Sequence, residues 1–168
     1  ILLAGFAGAF RRSELVGLDV VDLTWSAEGV KVLIGKSKTD QEGGGQRIAI
    51  ARGTSLCPCT ALSTWLMSAG ITSGPIFRAI RHGKIQDGRL RDRTVALIVK
   101  RYAGAAGLDS KKFAGHSLRA GMITQAAVNG TPEFSIMRQS RHKSSDMLRR
   151  YIRDARLFAD NASARLGL

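Results

Sequence analysis

The sequence predicts a mainly α-helical domain with one small antiparallel β-sheet, an α+β class, on three observations. Apolar residues recur at helical spacing between recognisable caps, and the period switches to two only once, around residues 30–50. The length, 168 residues, suits one core and is too short to expect two, so a single domain over 1–168 is expected.

The elements follow in order. ILLAGFAGAF is an apolar stretch without an initiator Met, and it reads as the second half of a buried helix ending near Arg11. The chain is therefore expected to be a fragment of a longer protein. Ser13 is a cap for a short turn through Glu14, Leu15 and Leu18. Val30, Val32 and Ile34 alternate, as do Ile48 and Ile50, which gives two strands joined by the glycine-rich, basic tip KSKTDQEGGG. Pro58 and Thr60 open a helix whose apolar face is Ala61, Leu62, Trp65, Leu66 and Ala69, closed by Gly70. GPIF is a short extended piece. Asp92 caps a helix bearing Val95, Ile98, Val99, Tyr102 and Ala106. A linking stretch then reaches His116-Ser117-Leu118-Arg119 and a helix running to about Val128, stopped by Asn129-Gly130. Thr131-Pro132 starts the next, and Ser144 starts the one that carries Tyr151.

Charge narrows the function. There are 26 Lys plus Arg against 13 Asp plus Glu, a formal charge of +13 and a pI near 10.9. Long-range attraction to a polyanion is the leading expectation, nucleic acid before an anionic membrane surface. No apolar run approaches the ~20 residues of a spanning helix, and the basic residues are spread over several elements. Residues 78–101 hold eight basic and two acidic residues, and residues 111–156 hold ten and three. Such clusters on several elements suit a surface that follows a phosphate backbone. Cys57 and Cys59 are too close for a comfortable disulfide and lack a second ligand pair for zinc, so small buried thiols in a reducing cytoplasm are expected.

Each chemically interesting residue has a bland reading when taken alone. Arg11 is then a helix-end arginine paired with Glu14, Lys38 a solvated hairpin lysine, His116 a cap, His142 an exposed and inert imidazole, and Tyr151 helix packing. His116 and Arg119, three apart at a helix start, share a face and together are placed to grip one ligand.

The set is more specific than its members. In chain order it reads GAFRRSEL, a lysine in a hairpin tip, HSLR, RH, and a tyrosine nine residues later. This series, from about residue 1 to about residue 160, resembles the tyrosine recombinase family, also called the phage integrase family. Gly8 to Leu15 match its Gly-x-x-Arg-x-Ser-Glu-Leu motif, and Arg11 falls on the first catalytic arginine. Ser37-Lys38-Thr39 resembles the Thr-Lys-Thr version of its hairpin lysine, which favours Lys38 over Lys36. His116 and Arg119 match its His-x-x-Arg box, and His142 its second His-or-Trp position, with Arg141 where a Gly is usual. That departure bears on the turn, because Gly reaches positive φ without a Cβ penalty.

The resemblance implies the catalytic-domain fold of that family and a site-specific recombinase or integrase that cleaves and rejoins DNA through a 3′-phosphotyrosyl intermediate. Tyr151 is then the nucleophile, although a phenol of pKa roughly 10 is a poor one unaided. Arg11 and Arg119 are the clamp on the non-bridging oxygens, His116 the general base and Lys38 the general acid. His142 is a hydrogen-bond donor to the phosphate, and Glu14 supports the arginine side. Arg149, Arg150 and Arg153 are candidate DNA contacts. No cofactor, ATP or metal is implied, and the thirteen acidic residues form none of the tight carboxylate sets that hold paired Mg²⁺ ions. The implied partners are double-stranded DNA and further copies of the chain in a tetrameric synapse, docked through the C-terminal segment FADNASARLGL, with no membrane. The family's amino-terminal DNA-clamping domain is not found in these residues. The implied setting is the bacterial or phage nucleoid, in the cytoplasm.

Two alternatives use the same residues differently. TPEFSIMRQSRHKSSDMLRRYIRD has the outline of a non-catalytic helix-turn-helix DNA reader, in which Tyr151 merely packs; this leaves Arg11, the hairpin lysine and HSLR unexplained. A type IB topoisomerase-like enzyme would share the chemistry without synapsis.

Overall fold

A computed structural model describes residues 1–35, 45–142, 144–157 and 161–166. The hairpin tip 36–44, and with it Lys36 and Lys38, lies outside the described residues. Helices α1 (Leu2–Ala7) and α2 (Arg12–Gly17) precede strands β1 (Leu23–Trp25), β2 (Gly29–Ile34) and β3 (Gln46–Ala51). Then come α3 (Pro58–Ser68), β4 (Arg78–Arg81), β5 (Lys84–Arg89) and α4 (Asp92–Ala105), followed by α5 (Ser117–Val128), α6 (Glu133–Ser140) and α7 (Ser145–Arg156). The α+β class holds, with two antiparallel sheets among the described residues where one was expected.

The first sheet has the order β1-β2-β3, with Val30 opposite Ile50 and Val32 opposite Ile48. These four side chains are buried on one face, as their alternation requires. β4 and β5 form the second sheet, joined by His82-Gly83, both at positive φ, as a tight two-residue hairpin turn demands. This hairpin lacks an alternating apolar pattern because arginines anchor it. Arg89 donates to the carbonyls of Val16 (2.7 Å) and Leu18 (3.2 Å) and to Asp19, and Arg78 donates to those of Pro75 and Ser73.

Several local expectations need correction. The opening helix ends at Ala7, not near Arg11, because Ala9 enters the left-handed region (φ 46°). Its amide then bonds the Phe6 carbonyl and the Phe10 amide that of Gly5, the paired bonds of a Schellman stop. Arg11, not Ser13, is the N-cap of α2, since Glu14 reaches back to its amide. Ala61 and Tyr102 face solvent, and Cys59 and Ala103 fill the buried positions on their helices. Cys57 is half-buried, and its sulfur caps α3 by accepting from the Thr60 and Gly53 amides. Bonding to Thr60 and Gly53 pulls its thiol pKa down to about 6.

Two cores result. One joins α1 and α2 to the first sheet, α3 and α4, around Phe10, Leu15, Val30, Val32, Ile76 and Val95. The other lies among α5, α6 and α7, around Met122, Ile123, Ile136 and Leu148, and it includes Ala9. Consecutive residues thus belong to different cores.

That crossing is closely packed. A Cβ on Gly8 would lie 2.1 Å from the ring of Phe10, which is 2% exposed and has Arg141 over its face at 5.4 Å. Gly8→Ala is expected to lower stability by about 1–3 kcal/mol, the usual cost of overpacking. Gly17→Ala, where a Cβ meets nothing within 4 Å, should raise it by roughly 0.4–1 kcal/mol by restricting the unfolded chain. Thermal unfolding of the two variants checks both signs, and equal shifts would refute the packing argument.

Candidate active site

The site is built on the Ala9 turn. Left-handed backbone at a non-glycine residue costs of order 1–3 kcal/mol and needs surroundings that fix it. Here two guanidinium groups do so: Arg119 Nη1 and Arg141 Nη2 each donate to the Ala9 carbonyl at 2.9 Å. Arg119 is on the first turn of α5 and is 6% exposed. Arg141 stops α6 and is itself left-handed (φ 58°). A left-handed residue therefore does stand where the family motif has Gly, and its side chain turns back into the protein. Arg141 donates further to the carbonyls of Gly8 (3.0 Å) and Gln139 (2.7 Å).

Glu14 supplies the balancing charge. Its Oε1 pairs with the Arg11 guanidinium, and its Oε2 accepts from the Arg11 amide (2.8 Å) and from Arg141 Nη2 (2.7 Å). Burial by itself would raise the Glu14 pKa; the Arg11 amide and the charge of Arg141 outweigh it, and the carboxyl sits below the ordinary value. The Arg119 pKa is pushed down to about 10, by burial first and then by the charges of Arg11 and Arg141, with Glu14 and Tyr151 acting in the opposite sense. Arg119 stays protonated at neutral pH.

His142 follows Arg141 directly. Its Nδ1 lies 2.7 Å from the Ser140 hydroxyl and 3.5 Å from Arg119 Nη2. A guanidinium can only donate, so Nδ1 is the acceptor and the ring proton is assigned to Nε2. Burial, then the charges of Arg119, Arg11 and Arg141, lower the His142 pKa, which favours the neutral ring. The arrangement leaves one N–H donor on the outer edge of the ring.

Tyr151 is half-buried against the core that contains Ala9, within electrostatic reach of Arg119. Arg11, Glu14, Arg119, His142 and Tyr151, from α2, α5, the end of α6 and α7, are therefore gathered around one turn. His116 stands at the N-cap of α5, exposed, and its imidazole makes no hydrogen bond among the described residues. Arg149 pairs with Glu133 at 3.1 Å, whereas Arg150 and Arg153 are exposed on α7. Ser140 and the inward-turned Arg141 are the participants that motif reading missed; a basic residue at a glycine position was the available signal.

The family model described as "Phage integrase family" matches residues 1–157, and the chain belongs to that family. It is 49% identical over 169 residues to an "Integrase/recombinase xerD homolog" of Selenomonas ruminantium, across 99% of this chain and 50% of the relative. The chain thus spans about half the length of that curated relative. Among solved structures it is similar to XerH site-specific recombinase bound to palindromic difH substrate in a post-cleavage complex, with a TM-score of 0.73 and 17% identity over 97% of this chain and 44% of that one. XerA recombinase gives 0.67 and 17% over 95% and 56%. The Tn1549 transposon integrase in complex with a circular intermediate DNA gives 0.64 and 15% over 89% and 52%. Similarity at these identities concerns the fold.

The Glu14 pKa has a consequence for stability. A carboxyl with a lowered folded-state pKa contributes stability above its unfolded value, and that contribution is lost as the pH falls through the folded one. Glu14→Gln is therefore expected to be less stable than wild type at pH 7 and to show a flatter acid limb in unfolding curves from pH 7 to pH 3. Parallel acid limbs would show that Glu14 is not held low.

Proposed function

We propose that the protein is a tyrosine recombinase or integrase that cuts and rejoins DNA strands through a 3′-phosphotyrosyl intermediate. The observation that carries this reading is the convergence of Arg11, Arg119, His142 and Tyr151, from separate elements, on the Ala9 turn. It is joined by membership of the family.

The chemistry asks for these groups. The Tyr151 oxygen attacks phosphorus, the bond to the 5′ oxygen breaks, and the protein is left linked to the 3′ phosphate. His116 takes the phenol proton, and Lys38 protonates the departing 5′ oxygen. Charge gathers on the non-bridging oxygens of the phosphorane, where the planar forks of Arg11 and Arg119 and the Nε2–H of His142 stabilise it. Attack by a 5′ hydroxyl on the phosphotyrosine reverses the step. Because the link conserves the bond, ATP is not consumed, and with guanidinium groups carrying the charge no metal is called for.

Double-stranded DNA is the substrate. A net charge of +13 supplies the attraction, and Arg150 and Arg153, exposed on α7, are offered to phosphates while Arg149 is paired with Glu133. Residues 1–168 act as a catalytic domain alongside an amino-terminal clamp, and the C-terminal segment docks on a neighbouring copy in a tetrameric synapse.

Covalent capture tests the nucleophile. On a suicide substrate nicked beside the cleavage site, wild-type protein should become linked to DNA in a denaturing gel, in excess EDTA as well. Tyr151→Phe should bind DNA yet form no adduct. Adduct formation by the Phe variant at the wild-type level would exclude the reading, and a requirement for Mg²⁺ would point to a metal nuclease.

Lys38 calls for a different substrate. Loss of one general acid slows a reaction by about 10²–10⁴, but a thiolate leaving group, with a conjugate-acid pKa near 8.5, leaves without that proton. Lys38→Ala should be slow on ordinary DNA and largely restored when sulfur replaces the bridging 5′ oxygen. Arg119→Ala should not be restored. Rescue of Lys36→Ala instead would move the role by two residues.

A further inference from the structure

We propose that Arg141 is a positioning residue for strand cleavage: it holds the Ala9 carbonyl jointly with Arg119 and shares Glu14 with Arg11, so that both arginines meet the scissile phosphate in a fixed geometry. This rests on the phosphotyrosyl chemistry proposed above.

Arg141 does not itself meet the DNA. Its side chain is 3% exposed, lies over the Phe10 ring and donates to Gly8, Ala9, Gln139 and Glu14. Its effect passes through two neighbours. The first is the Ala9 carbonyl, which Arg141 and Arg119 grip from α6 and α5 at equal distance. Loss of one donor loosens the turn against which Arg119 is set.

The second is Glu14. Arg11, with 46% of its side chain exposed, is folded back onto Oε1, while Oε2 accepts from the Arg11 amide and from Arg141. When a phosphate draws the Arg11 guanidinium away, Arg141 keeps Glu14 neutralised. Without Arg141, the same movement strips a nearly buried carboxylate of its cations, a costly state. Arg11 would then stay on Glu14 and off the phosphate.

Arg141→Gly is the informative variant, because Gly takes up φ 58° without strain and keeps the helix stop. Single-turnover cleavage at saturating DNA is measured on two substrates. One is an ordinary phosphodiester; in the other a methyl group replaces one non-bridging oxygen of the scissile phosphate and removes its charge. On the phosphodiester the variant is expected to be slower by about 10²-fold, the cost of slight misplacement of reacting groups, with DNA affinity changed far less. On the methylphosphonate, where guanidinium forks have little charge to stabilise, most of the wild-type-to-variant ratio should vanish. Arg141→Lys, which keeps a cation for Glu14 but lacks the planar fork that also holds the Ala9 carbonyl, should fall between wild type and Arg141→Gly. It should show the same loss of the ratio on the methylphosphonate, and it replaces the Gly variant if thermal melting shows that form unfolded. An equal ratio on both substrates would mean that Arg141 serves folding alone and would overturn the proposal. So would undiminished cleavage of the phosphodiester. If wild-type protein forms no adduct, the phosphotyrosyl reading falls first and this one with it; an active wild type beside an unaffected variant overturns only the role of Arg141.

Discussion

One carbonyl oxygen, that of Ala9, carries the arrangement. It belongs to a left-handed residue that ends α1, and it receives one N–H from Arg119 and another from Arg141. Arg141 is itself left-handed and ends α6. Two strained helix stops, distant in sequence, are thus tied through one side chain. Each stop alone would be poorly determined for a residue with a Cβ. Together they are fixed by hydrogen bonds to charged donors, among the stronger bonds a protein makes.

The cost of that arrangement is electrostatic. Arg11, Arg119 and Arg141 act on one another, and burial and mutual repulsion both disfavour the charged forms of Arg119 and Arg141. One carboxylate, Glu14, sits among them with less than a tenth of its side chain exposed. Three cations to one anion leave the group with two positive charges in excess, of which a phosphodiester, carrying one negative charge, would neutralise one. The buried ion pair between Glu14 and Arg141 is weak evidence for added stability, since desolvation offsets much of its attraction. Its value lies in geometry, because it fixes which oxygen of Glu14 remains for Arg11.

Much of this was legible from residue patterns, and the misses have physical causes. The helices of 58–68, 92–105 and 117–128 and the strands around Val32 and Ile48 follow from periodicity and from the glycines after the helices, although Asp92 is the first helical residue and not the expected cap. The β4–β5 hairpin is not legible because Arg89 secures it by bonds to the remote carbonyls of Val16 and Leu18, a mechanism with no period to detect. The end of α1 was misplaced because Ala9 departs from its own propensity, and what stabilises it there lies more than a hundred residues away, in Arg119 and Arg141. Arg11, Glu14, Arg119, His142 and Tyr151 were recognisable because ordered motifs preserve residue type and spacing. Ser140 belongs to no such motif, and its hydroxyl matters only because the turn at Arg141 swings His142 back onto it.

The division into two cores bears on how the site is assembled. Arg11 and Glu14 begin a helix whose apolar residues Leu15 and Val16 lie in the first core. Tyr151 is on α7, which packs on α5 and α6 and belongs to the second. The distance from the phenol to Arg11 spans the seam between the two cores, where Ala9 enters one core and Phe10 the other. There Leu118 of α5 packs on the first core, and Arg119, Gln139 and Arg141 donate to carbonyls across the crossing. A small shift there moves the tyrosine relative to Arg11 and Arg119 without unfolding either half. The residues that brace the crossing are consequently better placed to govern the rate of a reaction at this site than the far larger apolar surface that holds each half together.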